Sequence, residues 1–222
     1  MTTLKQSPIT LLLTTLTCAI FALMFLQYPN SFESPLVIYH FGALLGDILK
    51  INPQDLWRLI SPIFVHIGWE HFLVNTITVF FLGQLTESIY GHVRFLFLFL
   101  LSGMMGNTFV LWFTPDVVVA GASTALFGLF AAIIVIGYFS NNPYLKNLSN
   151  SYRTLILINL IFNIITPNVS IVGHLGGLLG GTLLGIAFSP KTSTSLSPLS
   201  KVIAFSLYFM ILIGILILTF SS

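Results

Sequence analysis

The sequence predicts an all-α polytopic membrane protein, a bundle of seven transmembrane helices with a cytoplasmic N-terminus. Three observations carry this prediction. Of 222 residues, 8 are Lys or Arg and 6 are Asp or Glu, so 6% are charged, against roughly 25% in soluble domains. Apolar residues make up 56% of the chain and mean hydropathy is +0.99, so a water-facing surface cannot be covered. The apolar residues also fall in runs near 20 residues long, the length of a spanning helix. An aromatic content of 14% excludes disorder. A net charge of +2 without any Lys/Arg cluster excludes a nucleic-acid partner. Cys18 is the only cysteine, which excludes an internal disulfide framework and a Cys-rich zinc site.

The elements follow in order. The first run, roughly 9–28, comes after a polar start containing Lys5. It is long and no small-residue cleavage site follows, so it reads as a retained helix and not a signal peptide. Residues at about 29–60 form the longest loop, punctuated by Pro29, Pro35 and Pro53 and carrying Glu33, Asp47 and Asp55. A loop of that length is functional or folded on itself, and its apolar stretches predict short helices lying in the membrane interface. The second run covers roughly 61–83 and the third 93–113. The fourth covers 120–139 and ends at the turn signal Asn141-Asn142-Pro143. The fifth covers 153–167 and the sixth 170–188, closed by Ser189-Pro190. The seventh covers 201–220. None alternates at period two, which argues against barrel strands.

Basic residues orient the bundle. With the N-terminus inside, Lys5, Arg94, Lys146, Arg153, Lys191 and Lys201 are cytoplasmic, and only Lys50 and Arg58 are outside. Spans two, four and six then run inward from the outer face.

Polar side chains inside a span are functional candidates by default. The second span holds His66, His71 and Asn75. The fourth holds Ser123 in Gly121-Ala122-Ser123, and the sixth holds His174 ahead of Gly177 and Gly181. His71, Ser123 and His174 all lie near the beginnings of parallel spans, so topology brings them to one depth. His71 and Asn75, four apart, share a helix face. So do His174, Gly177 and Gly181, whose glycines allow close backbone approach. A Ser beside a His on such helices suits nucleophilic chemistry, because a hydroxyl attacks only when a base takes its proton. His71, Asn75 and the Ser123 backbone N–H are donors for a developing oxyanion.

These residues resemble the rhomboid family of intramembrane serine proteases. The likeness rests on Trp57-Arg58, His66-x4-His71-x3-Asn75, Glu87 with Gly91, Gly121-x-Ser123 and His174-x2-Gly177-x3-Gly181. The resemblance implies a Ser-His dyad with Ser123 as nucleophile and His174 as general base and acid. It implies an oxyanion hole of His71, Asn75 and Ser123. Phe127 then stands where a ring packs on the imidazole, with Gly121, Gly177, Gly181 and His66 supporting. Residues 1–190 would be the six-helix core and 191–222 a linker with one added C-terminal helix. Transmembrane proteins in the bilayer would be the substrates, with no cofactor and no metal. A bacterial cytoplasmic membrane is the expected location, with the site near the outer face. Thr124 departs from the family's usual Gly, Phe127 from its Tyr, and Gly173 from its Ala.

Other readings are weaker. Zinc would need converging imidazoles, but a five-residue spacing turns His66 and His71 apart on a straight helix, and no His-Glu-x-x-His motif occurs. A transporter would show internal repeats or an intramembrane acid. A non-cleaving rhomboid relative would lack the serine or histidine. Trp57 and Arg58 are expected to anchor the long loop. Glu87 is expected to tie the inner end of the second span near Arg94, and His40 and His92 to lie in loops.

Overall fold

The computed structural model describes residues 7–165, 170–191 and 194–221. Lys5 and the last two positions of the expected fifth span lie outside them. In chain order the elements are α1 (Pro8–Gln27), α2 (Pro35–His40), β1 (Leu44–Leu45) and α3 (Gly46–Ile51). Two 3-10 turns follow, Pro53–Leu59 and Ser61–Phe64. Then come α4 (Gly68–Tyr90), α5 (His92–Phe113), β2 (Val118–Val119), α6 (Ser123–Phe139), α7 (Pro143–Ile165), α8 (Ile171–Ala187) and α9 (Pro198–Ser221).

Among the described residues, α1, α4, α5 and α9 are long and apolar enough to cross a membrane. α6 and α8 are apolar but only 17 residues each, about 25 Å at 1.5 Å per residue. α7 has 23 residues and is more polar.

α6 is the central post. It packs on α5, α7 and α8, and α8 also packs on α5. Leu129, Ile133 and Ile136 of α6 join Leu98, Phe99 and Met105 of α5 in the main core. The approach of α6 to α8 is backbone to backbone. A Cβ on Gly177 would collide with the carbonyl oxygen of Thr124, and one on Gly181 with the backbone of Gly128. Small residues let lipid-immersed helices gain packing that large side chains would block. α9 lies against α8 and α5, where the buried Tyr208 hydroxyl donates to the Leu101 carbonyl at 2.7 Å.

The long loop folds around Arg58. Its guanidinium donates to the Tyr39 carbonyl at 2.8 Å, to the Ala43 carbonyl at 3.1 Å and to Asp55 at 3.3 Å. It also stacks on the Tyr39 and Trp57 rings, 3.9 and 4.3 Å from their centroids. Only a planar five-donor fork meets so many partners at once. Asn107 on α5 ties the same loop down by donating to the Leu59 carbonyl at 2.9 Å. Leu44 and Leu45 pair antiparallel with Val119 and Val118. Among the described residues this two-residue ladder is the exception to an all-helical fold. It joins the long loop to the segment before Ser123, so both lie at one end of the bundle.

Three expectations need correction. The second span starts at Gly68 and not near 61, because Pro62 sits in a 3-10 turn and Gly68 takes a left-handed φ of +76°. His66 is therefore in the connection ahead of the helix, and a helical spacing argument does not apply to it. α7 begins at Pro143, ten residues early, because a polar helical turn precedes its apolar stretch. The Asn142 side chain starts it by accepting from Tyr144 N–H at 2.9 Å. Glu87 cross-links the inner end of α4 as expected, and its partner is the start of α1. It is 1% exposed and accepts from Ile9 N–H, Thr10 N–H and the Thr10 hydroxyl at 3.1, 2.8 and 2.6 Å. His92, the first residue of α5 and not a loop residue, closes on it at 2.6 Å. A carboxylate from α4 thus satisfies the orphan donors at the start of α1.

Candidate active site

Ser123 is the first residue of α6. The chain reaches it through Gly121, whose φ of +129° is open to glycine and strained for other residues. Two bonds hold this approach. Gly121 N–H donates to the Pro62 carbonyl at 2.8 Å. Ala122 N–H donates to Nε2 of the fully buried His66 at 3.3 Å. The first intrahelical bond of α6 runs from Leu126 N–H to the Ala122 carbonyl at 2.9 Å. Ser123 N–H therefore has no acceptor within its helix, as the geometry of a helix start requires.

His174 enters from α8. That helix is capped by Ser170, whose hydroxyl accepts from Gly173 N–H at 3.1 Å. Because α6 and α8 touch at Thr124, which directly follows Ser123, and Gly177, one turn below His174, their first turns are close enough for side chains to meet. Nε2 of His174 lies 2.9 Å from Ser123 Oγ. The imidazole stacks on the Phe127 ring, centroids 4.1 Å apart and planes 12° from parallel. The γ-methyl of Thr124 faces Gly173 and Gly106, so it fills the space where α6 meets α8 and α5.

His71 and Asn75 come from α4. The His71 ring lies against the backbone of Gly121, where a Cβ would sit 2.5 Å from Cε1 and 2.7 Å from Nε2. Its Nδ1 accepts a long bond from Ile67 N–H at 3.5 Å. That leaves the proton on Nε2, the nitrogen beside the Gly121 to Ser123 segment. Asn75 is buried and donates one amide hydrogen to the His71 carbonyl at 2.9 Å, leaving one further N–H.

His66 and His71 face each other, ring centroids 5.2 Å apart, contrary to the divergence expected of one straight helix. They meet because one residue precedes α4 and the other lies in its first turn. Among the described residues, no group of three His, Cys, Asp or Glu side chains is placed to hold a metal.

The structure adds a neighbour to these residues. Asn163 on α7 brings its amide to 2.6 Å from Nδ1 of His174. The fifth span carries Asn159 and Asn163 in an apolar stretch. The rule that singled out Ser123 and His174, a polar side chain within a span, applies equally to them.

A Rhomboid domain model matches residues 53–191, more than half of the chain. Rhomboid protease GluP of Bacillus subtilis is 34% identical over 152 residues, covering 68% of this chain and 29% of that protein. YdcA of the same bacterium is 34% identical over 143 residues, 64% of this chain and 72% of that protein. RHOMBOID-like protein 1 of Arabidopsis thaliana is 35% identical over 159 residues, 70% of this chain and 40% of that protein. The chain thus spans under half the length of two of these relatives and most of the third. The matched segment runs from the Arg58 loop through the Ser123 and His174 helices, and by it the chain belongs to the rhomboid family.

Proposed function

We propose that this chain is an intramembrane serine endopeptidase that hydrolyses peptide bonds in or near transmembrane segments of other membrane proteins. The observation that carries the proposal is the 2.9 Å approach of Ser123 Oγ to His174 Nε2 at the start of α6. In this reading Ser123 attacks the scissile carbonyl while its proton passes to Nε2. The C–N bond then breaks and the amine leaves with that proton, so an acyl-enzyme remains. Water deacylates it with His174 as base again. Ser123 N–H and His71 Nε2–H receive the oxyanion, with the remaining amide hydrogen of Asn75 as a further donor. The positive end of α6 favours the same charge. Phe127 holds the imidazole plane. His66 holds Ala122, and so sets the approach to Ser123.

Helix length supports a site below the membrane surface. α6 and α8 are about 25 Å long, short of a hydrocarbon core near 30 Å. Irregular backbone at that depth is tolerated when buried in protein or lining a cavity, which describes the segment held by Pro62, His66 and β1. With the N-terminus in the cytoplasm, this end of a seven-span bundle faces outward in a bacterial inner membrane. Residues 1–190 then form the six-helix core, and 191–222 supply the linker and α9. A substrate helix must unwind here, since its carbonyls are otherwise bonded, so small or helix-breaking residues near the cut lower the barrier.

The test is cleavage of a transmembrane substrate in detergent by wild type and Ser123→Ala, with fluorophosphonate labelling alongside. Loss of both cleavage and labelling in the variant is expected. Undiminished cleavage by pure Ser123→Ala would refute the nucleophile.

A further inference from the structure

We propose that Asn163 is a positioning residue for His174, accepting its Nδ1–H through the amide oxygen and so presenting an unprotonated Nε2 to Ser123. The inference rests on the serine-protease reading above and deepens it. The amide nitrogen of Asn163 stands 2.6 Å from Nδ1 and Ser123 Oγ stands 2.9 Å from Nε2. A neutral imidazole carries one N–H and one lone pair, so its two partners must be of opposite kind. If Asn163 donated to Nδ1, the ring proton would lie on Nε2, pointing at the serine it is meant to deprotonate. A half-turn of the amide exchanges nitrogen for oxygen with no other atom displaced, and only the hydrogen-bond network decides between the two settings. The setting that lets Ser123 donate to Nε2 puts Oδ1 at Nδ1–H.

The same bond matters more after proton transfer. His174 then carries N–H groups on both nitrogens and a positive charge, and a bond to a carbonyl-type oxygen is strengthened by that charge. Asparagine supplies the acceptor without burying an anion between apolar helices, where a carboxylate would be costly. An unrelated fold uses the same third member in the Cys-His-Asn site of papain-like proteases. α7 packs mainly on α6, so this bond also connects a third helix to the α6–α8 pair at the reacting atoms.

The test uses the full-length protein labelled with ¹⁵N-histidine in detergent, with imidazole nitrogen shifts assigned through His174→Gln. Wild type is expected to show His174 protonated at Nδ1. Asn163→Ala should shift it toward the Nε2–H form that a free imidazole prefers. Turnover in Asn163→Ala should fall about 10- to 100-fold in kcat with KM little changed, less than the roughly 10²- to 10⁴-fold of full general-base assistance, because His174 itself remains. Asn163→Asp, which keeps an acceptor oxygen in place, should restore the Nδ1–H form and part of kcat. A wild-type signal from the Nε2–H form would overturn the proposal. So would unchanged shifts and turnover in a folded Asn163→Ala protein. If that variant does not fold, the wild-type spectrum and Asn163→Asp decide. Loss of cleavage in Ser123→Ala and His174→Gln, in a protein where Asn163→Ala changes nothing, would sink this inference alone. Retained cleavage in those two would sink the reading beneath it.

Discussion

Gly177→Ala tests whether backbone contact between α6 and α8 is what brings serine to histidine. The new Cβ would stand 3.0 Å from the Thr124 carbonyl carbon and nearer still to its oxygen. Comfortable carbon contacts are ~3.5 Å or more, so the helices must part by about 1 Å. Thr124 follows Ser123 directly and Gly177 is one turn from His174, so the opening is transmitted almost undiminished. The Ser123 Oγ to His174 Nε2 distance of 2.9 Å then becomes about 3.9 Å, beyond hydrogen-bond range. Losing general-base assistance costs on the order of 10²- to 10⁴-fold, equivalent to about 2.7–5.5 kcal/mol of barrier. Overpacking adds about 1–3 kcal/mol of lost stability. Turnover of a fluorogenic transmembrane substrate, read beside thermal unfolding in the same detergent, measures both effects. Gly214→Ala on α9 is the control, since nothing lies within 4 Å of its Cβ. Native kcat in a Gly177→Ala protein that folds normally would refute the close-contact reasoning.

Three further outcomes are expected. His71→Ala should lower kcat by about 10²- to 10³-fold, the range for one oxyanion donor, and unaltered kcat in folded protein would remove that role. Phe127→Ala removes the ring stacked 4.1 Å from His174. An aromatic pair contributes about 0.5–1.5 kcal/mol beyond its buried area, so kcat should fall roughly 2- to 10-fold, and Phe127→Tyr should recover it. Glu87→Ala strips acceptors from Ile9 and Thr10. Each buried donor left unpaired costs about 1–3 kcal/mol, so denaturation in mixed micelles should shift strongly while turnover per folded molecule stays near wild type.

How much of this was legible in the sequence differs from element to element. α1, α5 and α9 were placed within three residues, because a lipid-facing helix announces itself by a long apolar run. α4 was misplaced by seven residues at its start, since Pro62 and Gly68 break a stretch that is apolar throughout. α7 was misplaced by ten, since its first turns are polar and still helical. The residues Ser123, His174, His71 and Asn75 stood out because polar groups are rare in such a chain. Asn163 obeys the same rule, yet neither its spacing nor a neighbouring glycine ties it to the others in the sequence.

The sequence by itself determined the solvent, the helical class and the family, because charge content, run length and motif order are properties of a string. Tertiary structure decided the rest. Glu87, at the end of α4, caps the first turn of α1 by accepting from Thr10, 77 positions earlier. His66 and His71 meet because a turn, and not a helix, joins them. Arg58 gathers carbonyls from the loop ahead of it. Asn163 reaches His174 from another helix. Each of these contacts depends on where two backbones pass in space. No one-dimensional period encodes that distance.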